Sequence, residues 1–153
     1  MQIALHIQLF FDSISVKSSN YQSEVKKLKI QESAENYLET ILVLHNRLGQ
    51  VRSIDIVNEL SFSKPSVSVA MKNLRNNGYI QMDKDGYITL LDKGYSIAKK
   101  IYERHLLLTK WLTTLGVDPE TASKDACRIE HVISSESFEK LKEHVERQMR
   151  KET

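Results

Sequence analysis

Cys127, Glu130 and His131 fall at i, i+3 and i+4, the spacing at which side chains on adjacent turns of one helix meet. A thiolate, a carboxylate and an imidazole brought together make a donor set for a divalent transition metal. The competing reading makes Cys127 a small core residue and pairs Glu130 with Arg104 or Arg128. A fourth donor, His105, lies inside an apolar stripe of Ile97, Ala98, Ile101, Leu108, Leu112 and Leu115. A histidine on that face needs a partner, which either a core hydrogen bond or a metal supplies. Asn36 and Glu39 stand one turn apart, on the helix side opposite Tyr37, Leu38 and Ile41, so they face away from the core those three build. They are either a solvated helix face or oxygen ligands that join this helix to the C-terminal ones through a shared ion. The chain offers no general base beyond these donors and no substrate-positioning loop, so ion binding is expected rather than an enzyme or a small organic substrate.

A second chemistry is written between Ser63 and Asn76. If Val67, Ala70, Met71 and Leu74 turn inward, a period of 3.6 puts Ser66, Val69, Lys72, Asn73 and Asn76 outward. Lys72 and Arg75 suit phosphate, Ser66 and Asn73 suit base edges, and the Val69 methyls suit the C5 methyl of thymine. The serine-rich first turn, Ser63, Lys64, Pro65, Ser66 and Ser68, is the end that a recognition helix inserts first, and its free N–H groups favour phosphate. A solvated helix in a protein-binding three-helix module is the rival reading. Lys84 in the following turn is flanked by Asp83 and Asp85, which weakens its appeal to phosphate.

The elements that must hold these residues follow from periodicity. Ala34, Tyr37, Leu38, Ile41, Leu42, Val43 and Leu44 predict a helix of about three turns from Ser33 to near Gly49. Ser53 then caps a short helix with Ile54, Val57 and Leu60 inward. Lys64-Pro65 opens the next, where proline is tolerated in the first turn, and Asn77-Gly78 ends it. Tyr79 to Met82 and Tyr87 to Leu90 are β-type runs joined by Asp83-Lys84-Asp85-Gly86, a hairpin signal. Beyond Asp92, a long helix runs from about Lys93 to Leu115, another starts near Thr121 and a charged one runs from Ser137. The fold class expected is mainly α: an N-terminal winged helix-turn-helix with a two-stranded wing, then an all-helical metal-binding and dimerisation domain. Leu107 and Trp111 lie outside the main stripe of the long helix, so a second copy of the chain is expected to cover them.

Composition bounds the function classes. The 153 residues, 41% hydrophobic and 27% charged, carry a net charge of only +2, so no global basic field exists and the local distribution decides. Ser61 to Asn77 holds Lys64, Lys72 and Arg75 and no acid, whereas Asp118 to Glu146 holds eight acids against four bases. One end suits phosphate and the other cations. The single cysteine forms no internal disulfide and fits a reducing, cytoplasmic setting. No apolar run approaches the roughly 18 residues of a membrane span, so no membrane partner is expected. Met1 to Val16 lacks a basic n-region and a small-residue cleavage site, and with the Ser/Asn-rich Ser13 to Ser23 it reads as a loosely attached leader.

The segments Glu35-Asn36-Tyr37-Leu38-Glu39, Ser63 to Ser68, Tyr102-Glu103-Arg104-His105 and, above all, Asp125 to Ser134 resemble the diphtheria toxin repressor and manganese transport regulator family. The match runs from about Glu32 to Val145. The resemblance implies residues 1–31 as a leader, 32–92 as the DNA-binding domain and 93–153 as the metal-binding and dimerisation domain, without the SH3-like domain of longer members. It also implies a homodimer that, when metal-loaded, binds a palindromic double-stranded DNA operator and represses metal-uptake genes. Carried over by residue, Cys127, Glu130 and His131 match the family's main ligands, and His105 matches a histidine ligand of both branches. Glu39 matches a ligand of the manganese branch. Asn36 stands where that branch has aspartate and the iron branch methionine, while Cys127 is the iron-branch choice. Thr109 and Ser123 replace the ancillary glutamate and histidine ligands of the iron branch, which departs from a complete second site. A thiolate favours Fe(II), Co(II), Ni(II) or Zn(II), and carboxylates with a carboxamide suit Mn(II); the balance leans to Fe(II) over Mn(II). The rival within this class is a winged-helix regulator that has lost metal sensing, with Asn36 as its sign.

Overall fold

The computed structural model describes residues 18–151, so the leader expectation for the first 17 residues lies outside them. The chain divides into two compact units, Met1–Ser33 and Ala34–Thr153, and all the packing below belongs to the second. The element order is α1 (Ser18–Leu48), α2 (Ser53–Leu60), α3 (Lys64–Asn76), β1 (Ile80–Met82), β2 (Ile88–Leu90), α4 (Asp92–Thr114), α5 (Pro119–Ile129) and α6 (Ser135–Lys151). This is a winged helix-turn-helix followed by a helical region, the architecture that the residue pattern predicts.

α1 starts well before the Ser33 expected from periodicity, and Ser18 to Ser23 is helical rather than a loop. Gln31, Glu32 and Ser33 are exposed, so these three residues offer a periodicity reading no buried stripe. The apolar stripe itself begins where expected: Tyr37, Leu38, Ile41 and Leu44 are buried. They meet Ile56 of α2, Val67, Met71 and Leu74 of α3, Ile80 and Ile88 of the hairpin and Ala98 of α4 in one core. Burying each large apolar side chain contributes about 1.5–3 kcal/mol.

Two local expectations need correction. Arg52, not Ser53, is the N-cap of α2, because the Asp55 carboxylate accepts the Arg52 N–H at 2.7 Å. Ile56 is the buried residue of α2, whereas Ile54, expected inward, is 44% exposed. α3 opens at Lys64-Pro65 as expected, and Ser63 caps it, its Oγ accepting the Ser66 N–H at 3.3 Å. The wing pairs Ile80 with Leu90 and Met82 with Ile88, antiparallel. Asp83 Oδ1 accepts the N–H groups of Asp85 and Tyr87, both at 2.9 Å, so this carboxylate organises the loop between the strands.

Tyr79 is the joint between modules. Its N–H donates to the Leu74 carbonyl at the end of α3, and its carbonyl accepts the Leu91 N–H ahead of α4. α4 lies so close that a Cβ on Gly94 would stand 2.1 Å from the Tyr79 carbonyl oxygen. Farther along α4, Ile101 and Leu108 are buried, as are Ala122 and Ala126 on the facing side of α5; small alanines let the two helices approach closely. Leu115, placed in the stripe by spacing, lies past the end of α4 and is 64% exposed.

Candidate metal centre and nucleic-acid interface

Three elements deliver polar side chains to one place. α1 supplies Glu35, Asn36 and Glu39, α4 supplies His105, and the end of α5 supplies Cys127, Glu130 and His131. α5 stops at Ile129, with Glu130 as its C-cap and His131 in the turn beyond, so the triplet does not lie wholly on one helix. Its convergence survives because Glu130 keeps helical dihedrals, φ −57° and ψ −31°. Arg104 fixes this turn from below: its Nη1 donates to the carbonyls of Glu130 at 2.9 Å and Ile133 at 3.0 Å, and its Nη2 donates to Ser135 Oγ at 3.2 Å. Its guanidinium also lies over the Phe138 ring, 5.3 Å from the centroid. Of the two arginines weighed as Glu130 partners, Arg104 therefore holds the backbone and not the carboxylate.

The donors form two overlapping sets. Cys127, Glu130 and His131 each offer one ligand atom within 4.8 Å of the others, and so do Glu39, His105 and Glu130. His105 thus groups with Glu39 rather than with Cys127, and Glu130 is common to both sets. Two ligands on one ion at about 2.3 Å stand at most about 4.6 Å apart, so both sets lie within a few tenths of an ångström of coordinating distance. His105 Nδ1 is 2.8 Å from Glu130 Oε2, and His131 Nε2 is 3.3 Å from Glu130 Oε1. The Glu130 side chain is wholly buried, and its Oε1 makes no hydrogen bond of acceptable geometry among the described residues. A buried carboxylate oxygen left this way is costly unless something else balances it. A divalent cation fits that need, and thiol, imidazole and carboxylate donors are the right types for it.

The remaining expected ligand is Asn36. It lines a cavity of ≈ 430 Å³ together with Glu39, His105, Cys127, Glu59 and Tyr102, among others. Ser123 Oγ lies 3.4 Å from His105 Nε2, and the Thr109 hydroxyl is buried without a hydrogen-bond partner among the described residues. The sequence reading gave neither Glu35 nor Arg104 its place at the site, weighing Arg104 only as a partner of the Glu130 carboxylate. Glu35 Oε2 is 3.0 Å from His131 Nδ1; its place one turn before Glu39 was the available signal. Arg104 falls on the same stripe as Ile97, Ile101 and Leu108, and a charge at such a position signals a buried anchor.

The electrostatics are those of a cluster whose members hold their protons more tightly than in water. Burial, then the neighbouring Glu130 carboxylate, pushes the Glu39 pKa up to about 7. At His131 burial pulls the pKa down. The hydrogen bonds with Cys127 and Glu35 and the charges of Glu130 and Glu35 outweigh it and raise the value to about 10. His105 is likewise raised, through its hydrogen bond with Glu130 and against burial.

Along α3 and its cap, every residue assigned to the DNA face is exposed. Ser63, Lys64, Pro65, Ser66, Ser68, Lys72, Asn73, Arg75 and Asn76 are exposed, and Val69 is 60% exposed despite being apolar. The Ser63 and Ser66 hydroxyls share a 2.8 Å hydrogen bond. Ala70 is half-buried, while Val67, Met71 and Leu74 are buried.

Residues 29–88 match the family model described as "Iron dependent repressor, N-terminal DNA binding domain". Residues 91–151 match "Iron dependent repressor, metal binding and dimerisation domain". The transcriptional regulator MntR of Salmonella typhimurium is 33% identical over 116 residues, covering 76% of this chain and 74% of that protein. The chain belongs to the diphtheria toxin repressor and manganese transport regulator family. Within this repressor family, an HTH-type transcriptional regulator of Methanocaldococcus jannaschii is 33% identical over 120 residues, covering 77% of this chain and 96% of that protein. Among solved structures, the manganese regulator SloR superposes with a TM-score of 0.66 at 27% identity, covering 74% of this chain and 53% of the other. The chain thus spans about half the length of that solved family member. No helix among the described residues is long and apolar enough to cross a membrane.

Proposed function

We propose that the protein is a cytoplasmic, metal-dependent transcriptional repressor. It binds a palindromic operator as a homodimer when loaded with a divalent transition metal, Fe(II) in preference to Mn(II), and controls metal-uptake genes. The observation that carries this reading is the buried Oε1 of Glu130, without a hydrogen bond, where donors from α1, α4 and the end of α5 meet. Cys127, Glu130 and His131 would hold the ion, with His105 and Glu39 completing the second set and Asn36 on the cavity wall. The ion supplies the charge that offsets these carboxylates.

The chain's own residues make the coupling. Glu39 belongs to the first helix of the DNA-binding module, whereas His105 and Glu130 belong to the helical region, so ligation of both ties the module to that region. A ligand shifts DNA affinity only by its differential affinity for the two arrangements, and the Glu39 link supplies that difference. The assembly reading draws support from α4 and its surroundings: Tyr95, Leu106, Leu115 and Val132 are 48%, 52%, 64% and 74% exposed. Leu107 and Trp111 are half-buried. A second copy covering this surface would set two recognition helices about 34 Å apart, one turn of DNA. Residues 32–92 and 93–153 are the proposed working domains.

A second reading, a regulator without metal sensing, draws on the carboxylate partners that both histidines already have. Operator duplexes selected from random DNA, titrated with protein that is chelated and then restored with Fe(II) or Mn(II), separate the two. The metal-dependent reading requires affinity to fall on chelation and return with metal. Unchanged affinity leaves a DNA-binding regulator that senses no metal.

A further inference from the structure

Neither donor set contains Glu35, yet this carboxylate reaches the centre through a ligand. Its Oε2 stands 3.0 Å from His131 Nδ1, and the two side chains are 16% and 3% exposed. The other ring nitrogen, Nε2, points the opposite way, to within 3.3 Å of the Glu130 Oε1 that has no hydrogen bond. We propose that Glu35 is a positioning residue of the metal centre: it accepts the Nδ1–H of His131 and so commits Nε2 to the ion. The inference rests on the metal-binding reading above.

The chemistry follows from the ring. A neutral imidazole has one N–H and one lone pair, so whichever nitrogen donates to a neighbour leaves the other as the ligand. A carboxylate beside Nδ1 claims the N–H and makes Nε2 the basic nitrogen. Turning the ring over would put Cδ2 against Glu35 and forfeit that hydrogen bond, so the contact fixes orientation as well as tautomer. Because the pair is nearly shut off from solvent, water is a poor substitute for the missing acceptor. Glu35 and Glu39 lie one turn apart on α1, so this helix touches the centre twice, once as a donor and once by aiming a donor.

The test uses the full chain with Co(II) as probe, read by the thiolate-to-cobalt charge-transfer band, and with Zn(II) for nitrogen-15 correlation spectra of the histidine rings. Circular dichroism of the chelated proteins checks that each variant folds. Glu35→Ala is expected to weaken Co(II) binding by about 10- to 100-fold, the usual effect of losing an outer-shell partner. Glu35→Gln, whose amide oxygen accepts the same N–H, recovers most of that loss. In the zinc-loaded wild type, His131 carries its proton on Nδ1. Equal Co(II) affinity in Glu35→Ala and wild type overturns the inference, as does Nδ1 ligation in the wild type. Equal losses in the Ala and Gln variants with an unchanged His131 tautomer assign Glu35 a merely structural role and overturn it too. Failure of the wild type to take up Co(II) overturns the metal reading itself, a distinct result.

Discussion

His105 Nδ1 lies 2.8 Å from Glu130 Oε2, so the middle of α4 and the end of α5 are joined through a carboxylate that water does not reach. Glu130 therefore serves packing and, in the proposed reading, ligation together. Glu130→Ala is expected to destabilise the chelated protein by about 3–5 kcal/mol, the usual effect of removing one partner of a buried ion pair, and to abolish Co(II) uptake. Urea unfolding and cobalt absorbance check the two halves; a stable variant that still binds Co(II) contradicts both.

The raised pKa values give opposite pH slopes with and without metal. Glu39 is raised to about 7 from 4.5 and His131 to about 10 from 6.5. Each binds protons more tightly folded than unfolded, so each contributes stability at low pH that is lost as pH rises through the folded value. The contribution of this cluster to the chelated protein should fall from pH 5 to pH 10. Metal must displace those same protons, so metal affinity should rise over that range. Melting temperature against pH with a chelator, in wild type and Glu39→Gln, and Co(II) titrations at several pH values check the signs. A Co(II) affinity independent of pH would remove the protonated cluster from the account.

Arg104 is held by two backbone carbonyls, a hydroxyl and a ring face. Arg104→Ala should destabilise by about 3 kcal/mol, since it strands buried carbonyls. Arg104→Lys should restore only part of this, because an ammonium lacks the planar fork. Metal affinity should fall in step, as the turn bearing Glu130 and His131 loosens. Chemical unfolding beside Co(II) titration tests the link.

Lys72→Ala and Arg75→Ala should weaken binding to all DNA and lower the salt slope by about one each, as phosphate contacts do. Ser66→Ala and Val69→Ala should instead alter sequence preference. Fluorescence anisotropy on specific and random duplexes across a salt series distinguishes these classes; four equal responses refute the division.

Much of this was legible in the residues because the relevant spacings are local. Lys64 to Gly78 announces α3 through its proline, its inward stripe and its Asn77-Gly78 stop, and Asp83 to Gly86 announces the wing loop. The three-residue spread of Cys127 and Glu130 needs only a helix to become a contact. What stayed hidden depends on contacts between distant segments. Nothing local pairs Glu35 with His131, 96 residues away, or places His105 with Glu39 rather than Cys127. The true start of α1 stayed hidden for the reverse reason, since exposed residues such as Glu32 and Ser33 leave no pattern. At Arg52, a side chain three residues downstream decided the cap against the better capping residue next to it.

The joint at Tyr79 gives the molecule a spindle. One backbone unit takes the end of the recognition helix through its N–H and the start of α4 through its carbonyl, with Gly94 leaving no clearance between them. On that side α3 is tied to α4 by backbone hydrogen bonds that need no ion. In the proposed reading, the adjustable contact is the one on the other side, where Glu39 approaches His105 and Glu130. An ion held there would work as a brake applied at the rim, with the whole breadth of the module as its lever arm, and not as the axle on which the module turns.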